Sequence, residues 1–461
     1  MIQTVDQIAL LPLYAAAGTA VLVLIMELAV GRFVLATGVA GALVTVACAA
    51  WTSSAGPTFC TGDLCSWIPG PRAALIAAVF ALLTAGVLAL STSMIDKVPA
   101  GEYGFLLTCA MTGGVVIGYA GDLITLIVGL ETLTLPLYVL VGLRRASAAL
   151  TFFVVSVIST AVALMGAALL YAATGAVHLA ALVPGAGPLA PLATVGMFLI
   201  VIGLAFKVAA VPLHAWAPTT YDGAPLPVAA YLSTASKLGG VIALAAVVAR
   251  LETGPLVAVL AVATMTVGNL VALRQTRMVR LLAWSSIAQA GYILAPLAIG
   301  PRGIPAAVAY AVFFVALEFI AFGAVIALRP PAADGGQMSD YQGTARRSPW
   351  LGAAFVLAVA GLAGLPPGLA GLFAKVTVVG VLIQNGWGWL AVVVAANAVI
   401  ALAYYLRAAV TLYAVPAGRA VADLTPPKFP VRWPAAAALL AATAVAVVLG
   451  FAPQLLFNTI T

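Results

Sequence analysis

Four charged residues lie inside segments that are apolar enough to cross a lipid bilayer. They are Glu131, Lys207, Lys237 and Lys375. A charged side chain at the centre of a membrane costs roughly 2.5 to 3.5 kcal/mol by insertion measurements, so such residues mark ion or proton pathways. A lysine in a medium of low dielectric loses its preference for the charged form, and a nearby carboxylate restores it. These residue types therefore predict a site that takes up and releases protons.

The elements that carry these residues are apolar helices. Hydrophobic residues make up 64% of the 461 positions and charged residues 7%, and long apolar runs recur along the whole length. This composition indicates an all-α polytopic membrane protein, because a helix satisfies its own backbone hydrogen bonds in lipid, and it leaves no separate soluble domain. The sequence predicts about fourteen spans, near residues 8–30, 33–51, 73–91, 102–120, 123–143, 148–173, 192–215, 225–249, 254–273, 279–299, 304–328, 350–385, 387–413 and 434–457.

The positive charges predict the orientation of the chain. With an even number of spans both termini lie on one side, and the loops divide into two sets. One set carries Arg32, Lys97, Arg144, Arg145, Arg274, Arg277, Arg280, Arg329, Arg346, Arg347, Arg407, Arg419, Lys428 and Arg432, and the other only Arg72, Arg250 and Arg302. Because loops rich in lysine and arginine stay in the cytoplasm, both termini are predicted on the outer side. The net charge of +7 is thus a topology signal and needs no nucleic-acid partner.

Two spans contain prolines close to a lysine. In FKVAAVPLHAWAP, Pro212 follows Lys207, and in LAGLPPGLAGLFAKV, Pro366 and Pro367 precede Lys375. Proline removes a backbone donor and clashes with the preceding turn, so both spans are predicted to break near their middle. Breaks at corresponding places in two halves of a transporter point to an inverted repeat and its ion site. Two unrelated proline kinks are the alternative.

The predicted repeat divides the chain into four parts. Spans 4 to 8 and spans 9 to 13 form two five-helix units, and the broken helices are spans 7 and 12. Because these spans are an odd number apart, the two units have opposite orientations. The predicted limits are 1–100 for spans 1 to 3, 101–250 and 251–413 for the two repeats, and 414–461 for a loop and span 14.

A loop predicted on the outer face contains two cysteines. Cys60 and Cys65 lie in CTGDLC, between spans 2 and 3. The outer side is oxidising, so these cysteines form either a local disulfide or two unpaired thiols. Two cysteines without a nearby histidine supply only half of a tetrahedral metal site, so no metal centre is predicted.

Four strings of the sequence resemble the antiporter-like membrane subunits of respiratory complex I. They are GDLITLIVGLETLTLPLYVLVGLRR, FKVAAVPLHAWAPTTYDGAPLPVAAYLSTASKLGG, NLVALRQTRMVRLLAWSSIAQAGYIL and AGLPPGLAGLFAKVTVVGVLIQNGWGWLAVVVAANAVIALAYYLR. They cover spans 5, 7, 8, 9, 10, 12 and 13 in the order of that family. The chain ends one span after the second repeat, so within the family it resembles a subunit without the long C-terminal extension that carries a lateral helix.

The resemblance implies roles for the four charges. The span 5 glutamate of the family falls on Glu131 in GLETLTLPLY, and its three lysines fall on Lys207 in FKVAAVPLH, Lys237 in STASKLGG and Lys375 in FAKV. These residues would form the proton-translocating axis of the protein. Closing a contact between Glu131 and Lys207 would then load a proton, and opening it would release the proton.

The resemblance also implies a setting for the chain. It would be a membrane-arm subunit of a proton-pumping NADH:quinone oxidoreductase in the bacterial cytoplasmic membrane. Its partners would be other membrane-arm subunits and lipid. No cofactor motif occurs in the sequence, so NADH, FMN, iron–sulfur clusters and quinone are expected in partner subunits, and this chain would perform no redox chemistry.

Further polar residues each have more than one possible role. His214 could pass protons or cap the break by a hydrogen bond. Glu318 in FFVALEFIAFG has no counterpart recognised from the family, and could act as a relay, pair with a lysine or contact a neighbouring subunit. Lys237 could be a relay or part of a structural ion pair. Thr134 and Tyr138 lie on the face of Glu131 and could orient it or provide packing polarity.

The sequence also departs from the family. Thr151 stands where the family often has a lysine, and Gln289 stands where it often has a histidine, so lateral proton transfer would rely on water there. Asp222 in YDGAP is predicted as a turn or helix-cap residue. Two other functions stay open. One is a subunit of an Mrp-type or stand-alone cation/proton antiporter, and the other, which the departures at Thr151 and Gln289 favour, is a non-conducting structural subunit.

Overall fold

The computed structural model describes residues 5–94, 98–182, 188–251, 253–330, 333–415 and 431–460. The predicted loop cations Lys97, Arg419 and Lys428 lie outside these residues. The helices of the first half are α1 (Leu11–Val30), α2 (Val34–Trp51), α3 (Pro71–Ser91), α4 (Ala100–Tyr119), α5 (Leu123–Gly142), α6 (Ala146–Thr174), α7 (Ala190–Lys207), α8 (Trp216–Gly223), α9 (Leu226–Tyr231), a π-helical segment (Leu232–Ser236) and α10 (Lys237–Val248).

The second half continues as α11 (Gly254–Ala272), α12 (Met278–Leu297), α13 (Ile304–Leu328), α14 (Thr344–Arg347), α15 (Pro349–Ala363), α16 (Leu369–Gln384), α17 (Gly388–Tyr413), α18 (Trp433–Phe451) and α19 (Gln454–Ile460). Short 3₁₀ turns cover Thr52–Ser54, Leu179–Ala181, Gly300–Gly303 and Met338–Tyr341. Strands β1 (Thr58–Thr61) and β2 (Leu64–Trp67) pair as an antiparallel hairpin.

The all-α polytopic fold is confirmed. Twelve helices of the described residues are long and apolar enough to cross a membrane. Each of the fourteen predicted spans has a helix at its place, but two fall outside this set. Predicted span 10 is α12, which is 20 residues long but carries Arg280, Ser285, Ser286 and Gln289. Predicted span 12 consists of two shorter helices, α15 and α16.

Both predicted helix breaks are present. Helix α7 ends at Lys207 and α8 begins only at Trp216, with Pro212 between them. Helix α15 ends at Ala363, where Gly364 has a left-handed backbone with φ of 86°, and α16 begins at Leu369. In both cases the chain leaves the helix where proline would remove a backbone donor.

The two five-span units pack in corresponding ways. Helix α4 packs on α5 and α6 on α7, while α11 packs on α12 and α13 on α15 and α16. Their broken spans are five apart, so the second unit runs opposite to the first. Between the units, α10 and α13 are in contact, and both are buried along most of their length. The exact limits of the four predicted parts of the chain stay a prediction.

Both ends of the described chain lie at one face of the molecule. The amide of Asp6 donates to Thr58 Oγ1 in the hairpin at 2.9 Å, and the Arg72 guanidinium donates to the Ile460 carbonyl at 3.0 Å. Cys60 and Cys65 form a disulfide across the same hairpin, which decides between the two predicted states of these cysteines.

The opposite face carries a network of ion pairs. Arg144 follows α5, whose 20 residues extend about 30 Å from the hairpin face. At this end of α5, Arg144 lies 3.8 Å from Asp334. Arg277 binds Asp222 at 3.0 Å and Asp334 at 2.9 Å, and Arg329 binds Asp334 at 3.3 Å. Asp222 was predicted as a turn or cap residue, which is wrong. It lies in the last turn of α8, and its carboxylate accepts hydrogen bonds from Arg277 of the second repeat.

Candidate functional site

Glu131 and Lys207 form an ion pair inside the first repeat. Lys207 is the last residue of the half-helix α7 and is 4% exposed. Its Nζ lies 2.8 Å from Glu131 Oε1 on α5, 3.1 Å from Ser156 Oγ and 3.2 Å from Thr134 Oγ1. The carbonyl groups at the end of a helix carry partial negative charge, which also stabilises a cation at this position. The predicted contact is thus present, with two hydroxyl groups around the ammonium.

The polar neighbours divide between the two partners. Thr160 of α6 donates to Glu131 Oε1 at 2.7 Å. Tyr138 donates to Ser156 Oγ at 2.5 Å, so it reaches the lysine side of the pair through Ser156. Thr134 donates back to the Leu130 carbonyl and accepts from Lys207. Thr134 and Tyr138 were predicted either to orient Glu131 or to provide packing polarity, and their hydroxyl groups bind Lys207, Ser156 and the Leu130 carbonyl rather than Glu131.

Lys237 begins α10 directly after the π-helical segment. It is 2% exposed, and its Nζ donates to Ser286 Oγ of α12 at 2.8 Å. π-Helical turns inside longer helices often occur at functional sites. Gly240 lies one turn later, and a Cβ there would come within 2.9 Å of Lys207 Cβ. The glycine therefore allows α10 to approach the end of α7.

Lys375 binds the end of the second broken helix. Its Nζ donates to the Leu362 and Ala363 carbonyls, both at 2.7 Å, and lies 5.0 Å from the centre of the Tyr292 ring. These are the last carbonyls of α15, which have no partner within the helix and carry its negative dipole end. The second repeat therefore holds its lysine by backbone carbonyls, where the first repeat uses a carboxylate.

Gln289 connects the neighbourhood of Lys375 to other polar groups. Its Nε2 donates to the Leu362 carbonyl at 2.9 Å and to Tyr405 Oη at 3.0 Å, and its Oε1 accepts from Tyr310 at 2.7 Å. Tyr405 Oη also lies 2.5 Å from Ser285 Oγ. Gln289 and Lys375 thus share the Leu362 carbonyl.

The remaining candidates lie in different surroundings. His214 is half-buried in the break after α7, where its Nδ1 lies 3.2 Å from the Pro212 carbonyl, in agreement with the break-capping reading. Thr151 is exposed and lines an open cavity of about 460 Å³, together with Arg145, Pro212 and Trp216. The face that carries Arg144, Arg277 and Arg329 is called the arginine-rich face. The cavity extends from Arg145 at this face to Pro212 in the break that follows Lys207.

Glu318 is fully buried on α13. Neither of its carboxyl oxygens has a hydrogen-bond partner in the described part of the chain. Since no part of the side chain reaches the surface, the structure argues against the predicted contact with a neighbouring subunit.

Two functional features were missed in the sequence. The π-helical segment before Lys237 has no motif of its own, although the small polar residues in LSTAS allow it. Tyr405 and Tyr310 were not singled out, since tyrosines within apolar spans are common packing residues. Among the described residues no cluster of three metal-ligating side chains occurs.

Comparisons with known proteins agree with this geometry. Residues 120–401 match the family described as NADH:quinone oxidoreductase/Mrp antiporter, TM. NADH-quinone oxidoreductase subunit N of Salinispora tropica is 58% identical, over 99% of both chains. A chain of respiratory complex I from Thermus thermophilus superposes with a TM-score of 0.82 at 29% identity, covering 98% of this chain and 99% of that one.

A chain of the Mrp complex from Dietzia sp. DQ12-45-1b has a TM-score of 0.84 at 23% identity, over 98% of this chain and 96% of that one. At this identity the match shows a shared fold. The family match and the long, highly similar relative decide the assignment: the chain belongs to the NADH:quinone oxidoreductase/Mrp antiporter family of membrane subunits, within its subunit N branch.

Proposed function

We propose that this chain is a proton-translocating membrane-arm subunit of an NADH:quinone oxidoreductase. The observation that carries the proposal is the buried ion pair between Glu131 and Lys207 at a broken helix. A buried ion pair is weak evidence for stability, because desolvation offsets most of its attraction. Its occurrence together with two further buried lysines, Lys237 and Lys375, is better explained by proton transfer.

The attraction between Glu131 and Lys207 is strong enough to decide whether Lys207 keeps its proton against the membrane potential. At an effective dielectric constant of ~20, two unit charges ~4 Å apart interact by about 4 kcal/mol. Moving one charge through a membrane potential of about 150 mV costs about 3.5 kcal/mol. Separating Glu131 from Lys207 therefore makes the lysine release its proton, and closing the pair loads it again. The cavity beside Thr151 provides the path from the arginine-rich face to this site.

Glu131 is the member of the axis that a neighbouring subunit can influence. Its side chain is 23% exposed, whereas that of Lys207 is 5% exposed. A charge or contact applied there by an adjacent membrane-arm subunit would shift the carboxylate relative to the lysine. Oxidation of NADH and reduction of quinone, with FMN and iron–sulfur clusters, would take place in partner subunits.

The proposal includes a position in the cell. The arginine-rich face would lie in the cytoplasm and the disulfide hairpin outside the bacterial cytoplasmic membrane, which places both termini outside. The oxidised Cys60–Cys65 pair supports this orientation, because disulfides persist on the oxidising side. The 58% identity to subunit N, against 23% to the Mrp chain, supports a complex I subunit over an antiporter subunit.

The experiment is proton pumping coupled to NADH-driven quinone reduction, in vesicles that contain the assembled complex with Lys207→Ala. We expect assembly and a strongly lowered number of protons per electron. Lys428→Ala is the matched control, since the sequence places Lys428 outside the predicted spans. Unchanged pumping in Lys207→Ala would make the chain a structural subunit, and failure of the chain to co-purify with redox subunits would favour an antiporter.

A further inference from the structure

Glu318 is a carboxyl group that the ion pair and the two other lysines do not explain. It is 0% exposed, and both of its oxygens lack a hydrogen-bond partner among the described residues. Burying an ionised carboxylate is expensive, and buried polar atoms without a partner are rare in native proteins. A group of this kind persists where its protonation has a function, as at catalytic and transport sites.

The residues around Glu318 are the polar residues of the axis. The carboxyl group interacts electrostatically with Lys237 of α10, Tyr221 of α8 and Tyr405 of α17. The Tyr221 ring lies edge-on to Phe322, one turn beyond Glu318 on α13, with their centres 6.5 Å apart. Glu318 therefore faces the space between the two repeats.

Hydrogen bonds extend from Lys237 and from Lys375 toward each other, but among the described residues they do not join, which leaves a gap. From Lys237 the path reaches Ser286 of α12. From Lys375 it runs through the Leu362 carbonyl, Gln289 and Tyr405 to Ser285, also of α12. An amide cannot take up a proton near neutral pH, and a phenol gives one up only near pH 10.

Helix α13, which carries Glu318, packs against α10 with Lys237, against α12 with both serines and against α16 with Lys375. The carboxyl group interacts electrostatically with Lys237 on one side of the gap and with Tyr405 on the other. We infer that Glu318 is the proton carrier between Lys237 and Lys375, taking the place that Gln289 leaves without a titratable group. This inference rests on the proposed function.

The transfer conserves charge. A proton leaves Nζ of Lys237 and binds a carboxylate oxygen of Glu318, so an N–H bond breaks, an O–H bond forms and both groups become neutral. The carboxyl group then gives its proton to a water molecule, and a proton of the water chain binds the neutral amine of Lys375, which restores the carboxylate and leaves an ammonium held by the Leu362 and Ala363 carbonyls. The two carboxyl oxygens are free to accept hydrogen bonds from water during the transfer.

The first test is Glu318→Gln in the assembled complex, which keeps the shape of the side chain and removes the titratable group. We expect assembly, and protons pumped per electron lowered about tenfold, with Glu318→Asp restoring part of the pumping. Phe314→Leu, one turn earlier on α13, controls for altered packing of the buried helix. Pumping at the wild-type level in Glu318→Gln would overturn the inference.

A second measurement separates a carrier from a structural counter-ion. If Glu318 only balances the charge of Lys237, Glu318→Gln should lower the thermal stability of the complex, and the double variant Lys237→Gln, Glu318→Gln should restore it. We expect Glu318→Gln to lose pumping at a thermal inactivation temperature close to that of Phe314→Leu. A lower inactivation temperature in Glu318→Gln that the double variant restores would overturn the inference.

Infrared difference spectroscopy of the complex during turnover tests protonation directly. We expect a carboxylic C=O band that shifts in D₂O and moves in Glu318→Asp, a variant that keeps the carboxyl group if Glu318→Gln does not assemble. The absence of a band affected by Glu318→Asp would contradict the inference. Lys207→Ala in the same kind of vesicle distinguishes the two proposals. Normal pumping by Lys207→Ala would refute the proposed function. Lost pumping in Lys207→Ala together with normal pumping in Glu318→Gln would refute only the role of Glu318 as a carrier.

Discussion

The three buried lysines are stabilised in three different ways. Lys207 has the Glu131 carboxylate, Lys237 has the Ser286 hydroxyl and Lys375 has two carbonyls at the end of α15. A carboxylate favours the ammonium form most, because it contributes a full negative charge, whereas a hydroxyl or carbonyl contributes only a dipole. The charged partner thus favours the ammonium form most at Lys207, and in the proposed function a movement of Glu131 releases that proton.

This difference predicts the effect of removing the counter-ion. In Glu131→Gln, Lys207 keeps the hydroxyl groups of Ser156 and Thr134 but loses the charge that opposes its deprotonation. We expect the complex to assemble and the protons pumped per electron to fall about tenfold. Thr160→Val, which removes only the hydrogen bond to Glu131, should have a smaller effect. Equal pumping by Glu131→Gln and the wild type would contradict the role of the pair.

At the scale of elements, the broken helices bring backbone groups to the axis. A continuous helix would satisfy the Leu362 and Ala363 carbonyls internally, and Lys375 would then have no partner of this kind. The break depends on Gly364, whose φ is 86° and whose Cβ would lie 2.8 Å from Lys375 Cδ if it had one. Glycine adopts this backbone without a steric penalty.

Gly364→Ala is expected to disturb both the break and the lysine. A left-handed backbone costs a residue with a Cβ roughly 1 to 2 kcal/mol, and the methyl group would displace Lys375 from its carbonyls. We expect lower thermal stability of the complex and lower pumping. Gly380→Ala in α16 is the control, because nothing lies within 4 Å of its Cβ position, and it should be neutral or slightly stabilising. Similar losses in both variants would contradict this account.

For the molecule as a whole, the ion pairs of the arginine-rich face join the two repeats. Asp222 belongs to the first repeat, whereas Arg277, Asp334 and Arg329 belong to the second. Hydrogen bonds from Arg277 hold the pKa of the Asp334 carboxyl below its ordinary value. The network therefore stabilises the junction of the repeats when its carboxylates are ionised.

Arg277→Gln should weaken this junction. It leaves the Asp222 carboxylate, whose side chain is 11% exposed, without its charged donor, which costs roughly 1.5 to 3 kcal/mol. We expect a lower temperature of thermal inactivation than in Arg280→Gln, where only a 3.4 Å hydrogen bond to Gln275 is lost. Equal inactivation temperatures for the two variants would show that Arg277 does not stabilise the junction of the repeats.

The pH dependence has a definite sign. Since folding lowers the pKa of Asp334, its contribution is fully present above the unfolded value of about 3.9 and is lost as the pH falls through the lower folded value. The wild type should therefore lose more stability than Arg277→Gln on acidification below about pH 3.9. Thermal inactivation measured over this range checks the difference, and parallel losses would contradict it.

The sequence predicts much of this architecture because its signals are local. Spans follow from apolar length, the breaks from Pro212, Pro366 and Pro367, and the buried charges from their apolar neighbours. Asp222 and Arg277 are 55 positions apart, so no local pattern relates them. The partners of Gln289 come from helices that meet only in the folded protein, and the π-helical segment depends on its surroundings.

In the proposed function, Lys207 must gain and lose a proton for the complex to pump. Lys207→Arg tests it most directly, because arginine keeps the positive charge beside Glu131 but does not deprotonate in a useful range. The measurement is protons pumped per electron during NADH-driven quinone reduction in vesicles that contain the assembled complex. We expect an assembled complex with strongly lowered pumping, whereas pumping at the wild-type ratio would show that Lys207 does not need to deprotonate.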